Sequence, residues 1–269
     1  MRSRRCRRHD MNVNTPKGAA VGCDEAQEIG FLVGRVALVT GASSGIGRAI
    51  ALALAGQGAR ICAVGRNIAG LSETVAAAGP LSKVTDFQID LTSEQSFELL
   101  ARHLEDIGRL DMLIHCAGVI CQGRMEDAPV EDLDLQYATN VRAPYVLTKR
   151  LLPLLIASRG QIVFINSSAG LNARRAEAGQ YAATKHALRA IADSLREEVN
   201  PEGVRVVSVY LGRTATPMQE TLFREEGKDY RPEMLLQPED VAAVVVQTLM
   251  LPPTAEVTDI SIRPMRKSY

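Results

Sequence analysis

Short, continuously apolar runs alternate with stretches of helical period along most of the chain. The first run, Val36-Ala37-Leu38-Val39, leads through Thr40-Gly41-Ala42-Ser43-Ser44-Gly45-Ile46-Gly47 into a small-residue helical pattern over Arg48 to Leu54. Arg60 to Gly65 predicts a second buried strand, Asn67 to Ala78 a helix ended by Gly79-Pro80, and Val84 to Ile89 a third strand. Thr92-Ser93-Glu94-Gln95 has capping-box spacing and opens a helix to about Ile107. Asp111 to Gly118 reads as a fourth strand with a glycine exit. A long helical region over Val130 to Ala157 is interrupted near Asn140 and Pro144. Ile162 to Ile165 is a fifth strand, ending in Asn166-Ser167-Ser168. A helix over Ala178 to Asn200, a sixth strand over Val204 to Tyr210, a helix opened by Pro238 and a last strand over Thr258 to Ile262 complete the chain. Strands that are apolar throughout, separated by helices, predict an α/β domain whose parallel sheet is covered on both faces. There is no internal repeat and no sign of a second domain between residues 34 and 269.

Composition narrows the partners. Lys plus Arg and Asp plus Glu number 31 each, so the domain as a whole has no electrostatic pull toward nucleic acid or an anionic membrane. No apolar run reaches the ~20 residues of a membrane span. The five cysteines (Cys6, Cys23, Cys62, Cys116, Cys121) contain no CxxC pair, and none of the four histidines (His9, His103, His115, His186) has metal-ligand company. These features predict a reduced cytoplasmic protein with no metal, and structural roles for His115 and His186. Residues 1–33 differ: five arginines fall within Met1 to His9. They read as a disordered basic tail or an upstream start, with a targeting peptide or a weak nucleic-acid contact as alternatives.

The strand, glycine turn and helix around Thr40 to Gly47 are what a dinucleotide phosphate needs. Gly41 permits the tight turn, Gly45 lets the backbone approach a pyrophosphate, and Gly47 lets the helix pack close to the sheet. Ser43, Ser44 and Ile46 bring backbone N–H groups to the same helix N-terminus. Glycines also cluster in ordinary βα turns, so the turn alone leaves a purely structural reading open. The second strand ends Val64-Gly65-Arg66-Asn67, without the acid that bonds a ribose 2′-hydroxyl in NAD-binding units. Arg66 could pair with a 2′-phosphate, which favours NADP(H) over NAD(H); otherwise it is a solvated loop cation.

Tyr181-Ala182-Ala183-Thr184-Lys185 lies in a helical stretch, so the phenol and the ammonium share a face. A cation there favours the phenolate, which suits an acid/base tyrosine. Ser168 stands 13 residues before Tyr181, after the fifth strand, where its hydroxyl could bond a carbonyl.

Taken in order, these motifs resemble the short-chain dehydrogenase/reductases in their compact single-domain form. The likeness rests on Thr40 to Gly47, Asp90, Cys116-Ala117-Gly118, Asn140, Ser168, Tyr181 to Lys185, and Leu211-Gly212 followed by Thr216-Pro217-Met218. It implies a three-layer Rossmann fold with a seven-stranded parallel sheet, and a catalytic tetrad of Asn140, Ser168, Tyr181 and Lys185. In that scheme Tyr181 is the general acid or base, Ser168 orients the carbonyl, Lys185 lowers the Tyr181 pKa and bonds the nicotinamide ribose, and Asn140 distorts its helix and holds a water. Asp90, with the Leu91 backbone, would meet the adenine. Ala117 and Gly118 would leave room for the cofactor, and Thr214 and Thr216 would contact the carboxamide. The implied reaction is hydride transfer between NADP(H) and a small carbonyl or secondary alcohol, in a homodimer or homotetramer. The alternative is a non-catalytic NADP(H)-binding, redox-sensing module on the same fold.

Two departures stand out. His115-Cys116 replaces the family's Asn-Asn, which removes some strand-stabilising hydrogen bonds. Leu211-Gly212 replaces Pro-Gly, which predicts a looser loop before Thr214. Residues 217–237 fall where the family carries a substrate lid, with Met218, Leu222, Phe223 and Tyr230 among many charges. Arg174 and Arg175 read as surface charge in preference to an acidic-substrate contact.

Overall fold

The computed structural model describes residues 30–266. The basic tail anticipated over residues 1–33 lies almost wholly outside them. Seven strands form one sheet in the order β3-β2-β1-β4-β5-β6-β7, every pair parallel. They are β1 Val36–Thr40, β2 Arg60–Gly65, β3 Lys83–Gln88, β4 Met112–His115, β5 Gln161–Ser167, β6 Arg205–Leu211 and β7 Asp259–Ile262. The central strands β1 and β4 are buried at every position, whereas the edge strands β3 and β7 alternate or stay part-exposed, as the one-sided cover of a sheet edge requires.

Eight α-helices occur among the described residues: α1 Gly45–Gly56, α2 Ile68–Ala78, α3 Glu94–Ile107, α4 Val130–Tyr137, α5 Ala143–Ser158, α6 Gly179–Val199, α7 Pro217–Glu225 and α8 Pro238–Leu249. One core packs Ile50 and Leu54 of α1 and Val241 and Val245 of α8 against Ala37, Val39 and Val209. The other packs Phe97 and Leu100 of α3, Leu147, Leu151 and Leu155 of α5, and Leu188 and Ala192 of α6 against Leu38, Leu113 and Phe164. The apolar faces of α5 and α6 therefore belong to the core of the single chain.

Two local expectations change. Thr92 does not take part in a capping box: its N–H and hydroxyl both donate to Asp90 Oδ1 (2.9 and 2.8 Å), and Ser93, the actual N-cap of α3, makes no capping bond. The anticipated break between Val130 and Ala157 is one turn of π-helix, Ala138–Arg142, closed by the Ala143 N–H donating to the Ala138 carbonyl; Pro144 sits harmlessly in the first turn of α5.

The chain order reverses between β1 and β4, and the carboxyl ends of these strands open a crevice there.

Candidate active site

A cleft of about 420 Å³ starts at that crevice and runs past the ends of β2, β4, β5 and β6. Its floor is tied by Thr40. The hydroxyl accepts from the N–H groups of Cys116 (3.0 Å) and Ala117 (3.1 Å) and donates to the Ile114 carbonyl (3.3 Å), holding β1 to the exit of β4. The asparagine amides absent at His115 and Cys116 are thus partly replaced. His115 turns away from the cleft, pairs through Nε2 with Thr148 Oγ1 at 2.8 Å and stacks on Phe164.

Gly41 has φ +68°, and a Cβ there would lie 2.9 Å from the Ala117 backbone. A Cβ on Gly47 would meet the Gly41 carbonyl at 2.2 Å, so α1 touches the turn backbone to backbone. The Ser44 side chain makes no capping bond, and no acid lies in the first turn of α1. The N–H groups of Gly45, Ile46 and Gly47 therefore face the cleft as an anion cradle, with the helix dipole behind them. Arg48 fixes this turn from outside. Its guanidinium donates to the Ser43 carbonyl (2.6 Å), the Gly70 carbonyl (3.0 Å), Thr74 Oγ1 (3.1 Å) and Glu73 (2.7 Å), strapping the turn to α2. Nothing in the local sequence marks Arg48 for this, because its partners lie up to 26 positions away.

At the far end of the cleft, Ser43, Arg66, Asn67, Asp90 and Leu91 line one wall. Arg66 is exposed and lies close enough to Asp90 to help lower its pKa, after the larger effects of the Thr92 backbone and side-chain hydrogen bonds. Asn67 caps α2 by accepting from the Gly70 N–H at 3.2 Å. The helix expected from Asn67 therefore begins one residue later, with Asn67 as its cap.

The reacting end is built from β5, α6 and the π-turn. Asn140 is 1% exposed; its amide accepts from the Val119 N–H (2.9 Å) and donates to the Val119 carbonyl (2.9 Å) and Thr184 Oγ1 (3.1 Å). It thereby clamps the chain leaving β4 against α6. Lys185 is buried beside it, donates to the Ile165 carbonyl at 3.2 Å, and stands 5.7 Å from the centre of the Tyr181 ring. Thr214 and Thr216 line the opposite wall. Thr214 is buried and bridged to Leu236, which pins the loop that Leu211-Gly212 was expected to loosen.

The serine requires a correction. Ser167, the last residue of β5, lines the cleft with Tyr181 and stands near enough to lower the phenol's pKa, while its Oγ accepts from the Ala169 N–H at 3.2 Å. Ser168 does not line the cleft: it is exposed and begins the 3₁₀ turn Ser168–Gly170. Counting 13 residues back from Tyr181 misses by one because the strand continues through Ser167, paired with Leu211, and the turn then swings the next side chain outward. The strand end itself was the usable signal.

Electrostatics also differ from expectation. Desolvation pushes the Tyr181 phenol up to about 12, and Ser167 beside it offsets only part of that. Desolvation likewise brings the Lys185 ammonium down to about 8. Burial thus sets the direction of both shifts and disfavours the charged form of each group.

The start of α7 forms part of the cleft wall, through Pro217, Met218 and Gln219. Arg175 is not free surface charge: it pairs with Glu226 beyond α7. No group of three or more His, Cys, Asp or Glu suited to a metal occurs among the described residues, and none of their helices is long and apolar enough to cross a membrane.

Comparison with known proteins agrees with this geometry. The family model described as short chain dehydrogenase matches residues 35–227. An uncharacterised oxidoreductase of Staphylococcus epidermidis is 34% identical over 232 residues, covering 86% of this chain and 97% of that protein. An uncharacterised short-chain type dehydrogenase/reductase of Sinorhizobium fredii is 35% identical over 234 residues, covering 85% and 91%. Among solved structures, a metagenomic short-chain oxidoreductase in complex with NADP superposes with a TM-score of 0.75 at 30% identity, covering 88% of this chain and all of that one. The closed form of serine dehydrogenase complexed with NADP+ gives 0.80 at 28% identity, covering 87% and 96%. The chain is an oxidoreductase of the short-chain dehydrogenase/reductase family.

Proposed function

We propose that the protein is an NADPH-dependent carbonyl reductase, with the reverse alcohol oxidation available to the same site. The observation that carries this is the meeting of Ser167, Tyr181 and Lys185 on the cleft wall, with the Lys185 ammonium 5.7 Å from the centre of the Tyr181 ring. The cleft residues fit the cofactor: the open N-terminus of α1 suits a pyrophosphate, and Arg66 beside Ser43 and Asn67 suits a 2′-phosphate. Neighbours solved with NADP support the same choice.

When bound, the nicotinamide supplies the hydride. Ser167 would hold the carbonyl oxygen and Tyr181 would deliver the proton to it. Lys185 would bond the ribose and feed protons toward Tyr181, with Asn140 fixing the backbone it works against. Thr214 and Thr216 would receive the carboxamide, while Asp90 and Leu91 would flank the adenine. A redox-sensing role draws little from buried Cys62 or cleft-lining Cys116, since desolvation pushes the first up to about 11 and the second up to about 12, far from a reactive thiolate. Exposed Leu135, Tyr137 and Tyr145 on α4 and α5 support a homodimer or homotetramer.

The test is NADPH and NADH oxidation over a panel of aldehydes, ketones and quinones. Turnover should prefer NADPH, and Tyr181→Phe should lose roughly 10²- to 10⁴-fold in kcat. Intact turnover in Tyr181→Phe would remove the proposed proton donor.

A further inference from the structure

Glu226 follows α7 and accepts from three cations. Its Oε1 accepts from Arg175 and from Arg213 Nη2 (3.0 Å), and its Oε2 from Arg213 Nη2 (2.9 Å) and Lys228 Nζ (3.0 Å). The carboxylate side chain is only 9% exposed. Burial alone would raise its pKa, but the bonds from Arg175, Arg213 and Lys228 hold it down at about 2.

The partners come from separate segments. Arg175 lies on the loop between Ser167 and Tyr181, and Arg213 directly precedes Thr214 at the exit of β6. The Arg213 guanidinium also lies 4.5 Å over the Phe223 ring of α7, and Phe223 meets Tyr230 edge-on at 5.6 Å. The same Ser167-to-Tyr181 loop is tied on its other side, where the Gly123 N–H donates to the Glu177 carbonyl at 2.8 Å and Glu177 takes φ +66°. Glu226, Arg175, Arg213 and Lys228 all stand outside the residues that line the cleft, so the cluster shapes the site without touching what binds there.

We propose that Glu226 is a positioning residue that fastens α7 over the cleft by joining it to the Ser167–Tyr181 loop and to the start of the Thr214 loop. This rests on the carbonyl-reductase reading. An isolated surface pair would contribute little. Here one largely desolvated carboxylate bridges three cations, and without it they repel one another across the joint. The carbonyl must be held within reach of two hydroxyls while water is excluded, so loosening the joint weakens substrate capture more than the chemical step.

The experiment compares NADPH-loaded wild type with Glu226→Gln, Arg175→Gln and the double variant Arg175→Gln/Glu226→Gln, using benzaldehyde, cyclohexanone and menadione. Glu226→Gln should raise KM about tenfold with kcat within about twofold, Arg175→Gln should raise it about threefold, and the double variant should lose no more than Glu226→Gln alone. Trypsin cleavage within 213–231 of the NADPH-loaded protein should quicken in the same order. Unchanged KM and cleavage in Glu226→Gln, or additive losses in the double variant, would overturn the proposal. If wild type reduces none of the carbonyls, the reductase reading fails by itself, and cleavage still decides whether Glu226 fastens α7.

Discussion

The two halves of the cleft are held together by different physics. On the cofactor side the contacts run to the backbone: α1 meets the turn where a Gly47 Cβ would lie 2.2 Å from the Gly41 carbonyl, Thr40 bonds three backbone groups of β4 and its exit, and Arg48 closes on two carbonyls. On the substrate side α7 is held through side chains: Leu222 and Phe223 are buried, Arg213 lies over Phe223, and Glu226 joins the charges behind them. Contacts to the backbone tolerate almost no displacement, whereas side-chain contacts at a surface can part and re-form. A pyrophosphate meets the same N–H groups each time it binds, so its half can be rigid; a substrate that enters and leaves past α7 needs a joint there.

Ser167 stands at the boundary, and the comparison is sharpened most there. Ser167→Ala should lower kcat/KM roughly 10²- to 10³-fold, as loss of a hydrogen bond to the reacting oxygen does, while Ser168→Ala should stay within about threefold. Steady-state kinetics on the two variants checks this, and equal losses would break the assignment of the serine.

Gly47→Ala attacks the cofactor half alone. The added methyl meets a carbonyl that cannot yield cheaply, so stability should fall by about 2 kcal/mol and NADPH binding should weaken, both readable by thermal unfolding with and without NADPH. A variant with wild-type melting and NADPH affinity would show that this half is less rigid than described.

Acid separates the halves more gently. Burial holds His115 neutral, with its pKa lowered to about 3 from 6.5, so the native state binds fewer protons than the unfolded chain between those values. Its contribution is full above pH 6.5 and is lost as pH falls toward 3. Glu226 is lowered to about 2 from 4.5, so its contribution is full above pH 4.5 and lost only below it. Denaturant melts should therefore show stability declining between pH 6.5 and 4.5 in wild type, and a flatter decline in His115→Asn. Equal slopes in the two proteins would remove His115 from this role.

What the sequence disclosed follows the same division. The central strands are uniformly apolar, so β1, β2, β4, β5 and β6 could be placed from Val36 onward, and the glycine turn and Asn140, Tyr181 and Lys185 lie where local order puts them. The residues missed depend on contacts made through space. Arg48 reaches α2, and Glu226 meets Arg175 across 51 positions. Ser167 was missed for a subtler reason: two adjacent serines differ only in which is still in the strand, and a fixed count to Tyr181 cannot see where a strand ends. Thr92 was misread because a capping spacing does not reveal that Asp90 competes for the same donors.

The π-turn at Ala138–Arg142 bears on how this chain tolerates changes in length. Its i-to-i+5 closure accommodates one residue more than an α-helical turn would hold. Deleting a single residue there, other than Asn140, would let α4 and α5 fuse into one regular helix with Leu147, Leu151 and Leu155 still on the sheet. The same deletion within α5 would turn everything downstream by about 100° and carry the remaining leucines off the sheet. The π-turn is thus a place where this helix can lose an amino acid without losing its facing.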